Sequence, residues 1–282
     1  MNTPDLKAWI GRREARRDSA APNQAMAMAA TLDLDPDAFR TGATLPEFWH
    51  WIYFTHPIRR SRLGEDGHEL RGDFMPPVDL PRRMWAGGRV RFLRPIVIGA
   101  SIERASEIIS IDEKQGRSGP LVLTTVRHII SDAAGPCVEE EQDIVYCEIP
   151  KSNESTRQQE ILPVDVQWRE TFLPDAVTLF RYSALMFNAH RIHFDHPFTT
   201  EVEGYRGLLV HGPLTATLLL EAAKRNVQRE LSSFRYRGLA PLFNNELITL
   251  AGRNTKHEDE TELWAADLNG VIAMQGATSW RN

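Results

Sequence analysis

The sequence predicts an α+β protein built as two tandem halves, each with a helix ahead of an antiparallel sheet. Three observations carry that reading. A polar segment, Pro150-Lys-Ser-Asn-Glu-Ser-Thr-Arg-Gln-Gln-Glu160, has almost no apolar content and reads as a boundary. Long strand-like runs separated by Gly and Pro turns occur on both sides of it. In each half a helical pattern comes before the strands, and a sheet with one apolar face needs such a helix to cover it.

In chain order, Asn23–Leu32 (NQAMAMAATL) is rich in strong helix formers. Phe48, Trp49, Trp51, Tyr53 and Phe54 follow Pro46 and predict a second helix, with its rings packed on the sheet rather than forming a ligand wall. Three strands are expected over Ser101–Asp112, Leu121–Ser131 and Val138–Ile149, as an antiparallel meander turned at 116–120 and at Gly135-Pro136. Residues 151–163 read as the linker, dividing an N-terminal half, 1–150, from a C-terminal half, 164–282. There, Pro213 suits the first position of a helix, and Leu214, Leu218, Glu221 and Ala222 keep helical spacing to about Glu230. Strands should follow at Ser232–Leu242, Glu246–Arg253 and Glu262–Ser279, the last split by the turn Asn269-Gly270.

The chain has 282 residues, 42% of them hydrophobic and 25% charged, which suits a soluble globular protein with an ample core. A net charge of −5 argues against a general nucleic-acid binder. No apolar run approaches the roughly 20 residues that span a bilayer, and the N-terminus lacks the apolar region of a secretory signal. Cys137 and Cys147 fall on one expected strand and read as reduced thiols, so a cytoplasmic location is expected.

Chemistry concentrates in one window. Of the nine histidines, His190, His193 and His196 recur every third residue with Asp195 among them, and His211 follows just before Gly212-Pro213 and an apolar helix pattern. Imidazole is the base that titrates near neutrality. The free N–H groups of a helix start can hold a developing oxyanion. Together they suit acid–base chemistry on a carbonyl. A metal site on His190, His193, Asp195 and His196 is disfavoured: no H-E-x-x-H occurs, and the spacing spreads the rings over too wide an arc. There is no G-x-S-x-G for a serine hydrolase and no Rossmann or Walker glycine pattern for a nucleotide cofactor.

The stretch from Tyr182 to Asp195 (YSALMFNAHRIHFD), followed by Gly204-Tyr-Arg-Gly-Leu-Leu-Val-His-Gly-Pro213, resembles the MaoC-like, R-specific hydratase 2 family. The likeness is closest to the double-hot-dog branch of type 2 hydroxyacyl-thioester dehydratases and mesaconyl-C4-CoA or itaconyl-CoA hydratases. Residues 45–54, 81–88, 116–120 and 141–146 resemble that branch's degenerate first hot dog. The resemblance implies a double hot dog, two copies of a long helix wrapped by a curved antiparallel sheet. The C-terminal copy would hold the catalytic groups, and the N-terminal copy would have lost its polar groups to house the acyl chain.

The same resemblance implies hydration of an α,β-unsaturated acyl-CoA thioester, or the reverse, in a homodimer without membrane or nucleic-acid partners. No cofactor is implied, since CoA enters with the substrate. His193 takes the position of the catalytic base. Asn188 stands where the family has Asp, so it would orient water rather than share base duty, and His190-Arg191 stands where the family has Asn-Pro. Gly212 would donate its N–H to the thioester oxyanion. His190, Asp195 and His211 are candidates for support, although each has a plain structural role open to it. Arg191, Arg181 and Arg117 are candidates for CoA phosphates or a substrate carboxylate, and a dicarboxyl substrate could also draw on Arg82 or Arg83. Rival expectations are a fatty-acyl dehydratase, a non-catalytic acyl-thioester-binding subunit, and a thioesterase for which Glu221 lies too far down the helix.

Overall fold

The computed structural model describes residues 5–116, 119–149, 159–257 and 259–281. In the first half, β1 (Arg13–Ser19) precedes helix α1 (Pro22–Thr31), and β2 (Arg82–Phe92), β3 (Ser101–Gly116), β4 (Gly119–Asp132) and β5 (Gly135–Cys147) follow. The second half runs β6 (Trp168–Phe172), α2 (Ala176–Leu185), α3 (Gly212–Val227), β7 (Leu231–Gly238), β8 (Ile248–Asn254), β9 (Glu260–Ala266) and β10 (Ile272–Trp280). All ten strands join one sheet in the order β1-β3-β4-β5-β2-β7-β10-β9-β8-β6.

Read outward from the β2–β7 seam, both halves have the same connectivity. The first strand lies at the outer edge, the second at the seam, and the last three fill the space between in order. That is a tandem repeat of fold, a double hot dog. The seam is antiparallel, pairing Gly87 with Arg237 through to Arg91 with Ser233. One hydrophobic core runs beneath both halves, with Phe48, Trp49 and Val90 of the first packed in the same cluster as Leu214, Leu219 and Phe234 of the second.

Helix α3 is the buried axis of the C-terminal copy. Leu214, Leu218, Leu219, Leu220, Ala222 and Ala223 are all sequestered, so tertiary burial rather than propensity holds the helix. Its N-terminal counterpart, α1, is the helix expected at Asn23–Leu32 within one residue, and its 10 residues are fewer than the long helix implied by the resemblance. The aromatic run also departs from the expected helix. It makes one 3₁₀ turn, Trp49–Ile52, bracketed by Phe48 at φ 74° and Phe54 at φ 60°. Left-handed residues at both ends prevent the turn from propagating. Phe48, Trp49, Tyr53 and Phe54 are nonetheless buried, as expected for core packing, whereas Trp51 is partly buried and lines the cavity where the two halves meet.

Cys137 and Cys147 share β5 and are both free thiols. Much of the expected linker, 151–158, lies outside the described residues. Its last part is tied to the C-terminal half, where Leu162 N–H donates to the Gly270 carbonyl at 2.8 Å. Among the described residues no helix is long and apolar enough to cross a membrane.

Candidate active site

A cavity of about 2310 Å³ opens where the two halves meet, lined by His193, His211, Gly212, Asn188, Trp85 and His68 among others. His193 closes a 3₁₀ turn, Arg191–His193, and is buried. The turn is clipped to the segment before α3 by two hydrogen bonds. Leu209 N–H donates to the Ile192 carbonyl at 3.0 Å, and His193 Nδ1 lies 2.8 Å from the Leu209 carbonyl oxygen. A carbonyl can only accept, so Nδ1 carries the proton and Nε2 keeps the lone pair. Burial pulls the His193 pKa down to about 4, against the opposing pull of the Leu209 carbonyl. At neutral pH the ring is therefore in its basic form.

His211 stacks on His193, with ring centroids 3.6 Å apart and planes inclined by 19°. Its Nε2 meets Ser183 Oγ of α2 at 2.8 Å, and burial again drives its pKa well down. His211 therefore forms the wall that fixes the base. Gly212 is the first residue of α3, and among the described residues its N–H meets no acceptor. Glycine is required here because a Cβ would lie 2.7 Å from Trp85 Cε3. The indole of β2 thus roofs the helix start of the other half.

Asn188 folds back on its own loop, where its Oδ1 accepts from the His190 N–H at 2.9 Å. This Asx turn leaves its amide N–H groups for the cavity. His190 is buried 5.4 Å, ring to ring, from His193. Asp195 supports local structure. It ion-pairs with Arg191 at 2.8 Å, and its Oδ1 accepts from the Phe198 N–H at 3.1 Å, starting the π-helical turn Phe198–Val202.

The arginines expected to meet substrate are elsewhere. Arg191 is held by Asp195 and by the Glu65 carbonyl, and it does not line the cavity. Arg181 is exposed and donates to the Ala30 carbonyl at the end of α1, also off the cavity. Arg117 lies outside the described residues. Arg82 lines the cavity but is buried against Glu203 at 3.0 Å. Arg83 and Arg71 line it too. Glu221 accepts from Trp49 Nε1 at 3.1 Å and is not a lining residue, which leaves a thioesterase without its acid.

Sequence reasoning missed Asp66 and His68. The loop 64–70 of the first half docks on the histidine turn of the second, with Arg191 N–H donating to the Asp66 carbonyl at 3.0 Å. The contact is so close that a Cβ on Gly67, at φ +87°, would fall 1.9 Å from the Ala189 carbonyl oxygen. Docking brings the His68 ring to 4.0 Å from that of His190, while His68 Nδ1 meets Asp66 Oδ2 at 3.0 Å. The residue pattern Gly64-Glu-Asp-Gly-His68 marks a tight polar turn but not its destination. Ligand atoms of Asp66, His68 and His190 lie within 4.8 Å of one another, close enough to hold a metal ion. Arg83 and Arg71 both act on His68 electrostatically and oppose a second positive charge there.

The N-terminal face of the cavity is mixed: Phe74, Met75, Val126 and Ile144 give it the expected apolar wall, and Glu14, Arg16, Arg104, His128 and Gln142 line it too. Pairing permits this burial. Arg16 forks onto Glu14 at 2.9 and 3.1 Å, and the deeply buried Glu140 binds His50 at 3.0 Å and Trp51 Nε1 at 2.8 Å.

A neutral imidazole and a helix-start N–H without an acceptor among the described residues line one large cavity between two hot dogs, an arrangement that suits a hydratase of the double-hot-dog class. Residues 48–244 match the family model for hydroxyacyl-thioester dehydratase type 2. Over 274 residues, 97% of both chains, the protein is 43% identical to a mesaconyl-C(4)-CoA hydratase of Chloroflexus aurantiacus. A MaoC-like dehydratase from Phytophthora capsici superposes with a TM-score of 0.67 over 96% of both chains at 16% identity. A Mycobacterium tuberculosis protein described as a double hotdog fold superposes with a TM-score of 0.61 over 96% of both chains at 12% identity. The chain belongs to the type 2 hydroxyacyl-thioester dehydratase family, and it is a hydratase.

Proposed function

We propose that the enzyme hydrates a C5 dicarboxyl thioester, mesaconyl-C4-CoA or itaconyl-CoA, to citramalyl-CoA. The observation that carries this reading is the neutral His193, with its proton fixed on Nδ1 by the Leu209 carbonyl, lining the same cavity as Gly212. Nε2 removes a proton from water as the oxygen attacks the β-carbon, and Asn188 orients that water. The thioester oxygen takes up the negative charge, and the Gly212 N–H at the positive end of α3 stabilises it. With mesaconyl-C4-CoA the imidazolium then delivers its proton to the α-carbon; with itaconyl-CoA, whose double bond is β,γ to the thioester, the proton goes to the terminal methylene. Water is added overall and His193 is regenerated, so no resident cofactor is needed. A cytoplasmic homodimer is part of the same reading.

The substrate assignment is supported by the 43% identical relative, whose name specifies mesaconyl-C(4)-CoA. A second reading, dehydration of a 3-hydroxyacyl thioester with a longer chain, is favoured by the family description. Charged lining residues such as Arg71 and Arg83 could serve a dicarboxyl substrate, while the apolar part of the lining suits either chain.

The test is to incubate the purified protein with mesaconyl-C4-CoA, itaconyl-CoA, crotonyl-CoA and a C8 enoyl-CoA. Loss of the enone absorbance without thiol release is expected, with kcat/KM for one dicarboxyl substrate at least roughly tenfold higher than for the other two. Thiol release would mean a thioesterase, and no change with any thioester would mean a binding subunit. Fastest turnover of the C8 substrate would put the long-chain dehydratase first.

A further inference from the structure

We infer that Arg83, backed by Arg71, is the cation that receives the second carboxylate of the substrate; this rests on the dicarboxyl reading above. Positive charge along the cavity wall is unevenly compensated. Arg16, Arg82, Arg104 and Arg206 line it, and each has a carboxylate within 4.0 Å. Arg60 and Arg237 line it as exposed residues at the rim. Arg71 and Arg83 are the two partly buried lining arginines for which no carboxylate stands within ion-pair distance among the described residues.

Arg71 is immobilised in that state. Its guanidinium donates to the carbonyls of Val78 (2.6 Å), Leu80 and Pro81 (3.1 Å) and lies 4.9 Å from the centre of the Tyr146 ring. Burial first, and then repulsion from Arg83, weaken its hold on its proton. The buried Tyr146 hydroxyl lies in the field of both arginines, and its one side-chain interaction of hydrogen-bond type is a weak one with Arg83. Two neighbouring cations that repel each other in a partly desolvated wall are an unfavourable arrangement. An anion between cavity and wall relieves it, and a carboxylate matches the guanidinium fork.

The location fits the proposed reaction. Arg83 and Trp85 are two apart on β2 and so share a face, roughly 7 Å apart along the strand. Trp85 is the ring over Gly212, so Arg83 stands one step along the strand from the oxyanion donor. On its other side Arg83 acts on His68 and His190, and His190 contacts His193. A carboxylate a few bonds from a thioester carbonyl is within reach of this position, whereas the methyl end of crotonyl-CoA brings no charge to it.

The test compares kcat/KM for mesaconyl-C4-CoA and crotonyl-CoA in the wild type, Arg83→Met, Arg83→Lys and Arg71→Met, with thermal midpoints measured alongside. In Arg83→Met the preference for the dicarboxyl substrate should fall at least tenfold, mainly through KM. Arg83→Lys should recover part of it, and Arg71→Met should show a smaller loss of the same kind. A preference left intact in folded Arg83→Met, or equal losses on both substrates, would overturn the assignment of Arg83 while leaving the hydratase reading untouched. A wild type that hydrates crotonyl-CoA at least as well as either dicarboxyl thioester would overturn the dicarboxyl reading and this inference with it.

Discussion

His211 lies flat against His193, with centroids 3.6 Å apart, and the residue after His211 is the helix-start glycine. One short segment, 209–212, therefore supplies the carbonyl that sets the His193 tautomer, the ring stacked on it and the helix-start N–H, which in the proposed mechanism serve the base and the oxyanion. Two stacked imidazolium rings would repel each other, so the pair works when both rings are neutral, and burial keeps them so. Replacing His211 with Ala should lower kcat with little change in KM. Admitting water should also move the acidic limb of the pH–rate profile up from near 4 toward the ordinary histidine range, where a merely structural role would leave the limb in place.

Asn188→Asp adds a carboxylate to the loop that carries His190 and His193. A nearby negative charge favours the imidazolium, so the acidic limb of kcat/KM should again rise. An unchanged profile, measured over pH 4–8, would put residue 188 outside the reacting centre.

Gly212→Ala drives a Cβ to within 2.7 Å of Trp85 Cε3. Overpacking of this kind costs about 1–3 kcal/mol. Turnover should drop as well, because the indole and the helix start move apart although the N–H is retained. Adding Trp85→Leu should restore most of the lost stability in urea unfolding; failure to do so would mean that the glycine is needed for another reason.

The outer architecture was largely legible in the sequence. The expected strands at 101–112, 121–131 and 138–149 became β3, β4 and β5, and the Asn269-Gly270 turn separates β9 from β10. The edge strands were not legible. β1 reads REARRDS, alternating between partly buried and exposed positions without an apolar face, and β6 has only five residues. Hydrophobic periodicity cannot find such strands, because they are held by backbone pairing to a neighbouring strand and by partly buried charge pairs such as Glu14–Arg104 at 4.0 Å. His193, His211 and Gly212 were legible because they are close in sequence. Asp66, His68, Arg71 and Arg83 were not assembled in advance, since a loop docking through Gly67 and a strand pairing bring them in from more than 100 residues away. Arg191 and Arg181 misled because an arginine near a motif is as readily a local clamp, which is what both are.

The buried Glu140 holds His50, Trp51 and, at 3.5 Å, the Tyr236 hydroxyl across the seam. Burial would push its carboxyl pKa up, but the hydrogen bond and charge of His50 bring it down overall. Glu140→Ala leaves these donors unsatisfied and should destabilise the fold by about 3–5 kcal/mol, read as a shift in the urea midpoint. A loss under 1 kcal/mol would mean that water replaces the carboxylate.

Acid should begin to weaken the fold above the range in which most carboxylates titrate. Burial takes His128 and His193 down from 6.5 to about 4, so both stay neutral in the native state when the unfolded chain has already protonated them. Between those values the unfolded state binds more protons, and stability therefore falls as pH drops through 6.5 toward 4. Urea midpoints should be lower at pH 5 than at pH 7; equal midpoints would contradict the burial of neutral imidazoles.

The most direct measurement is the rate of enone loss from mesaconyl-C4-CoA with wild-type enzyme and with His193→Ala, together with binding of the hydrated CoA product to both. The account predicts that the variant loses at least about 100-fold in turnover, the scale of acid–base catalysis, and still binds product. Near-wild-type turnover by His193→Ala would contradict the assignment of His193 as the base.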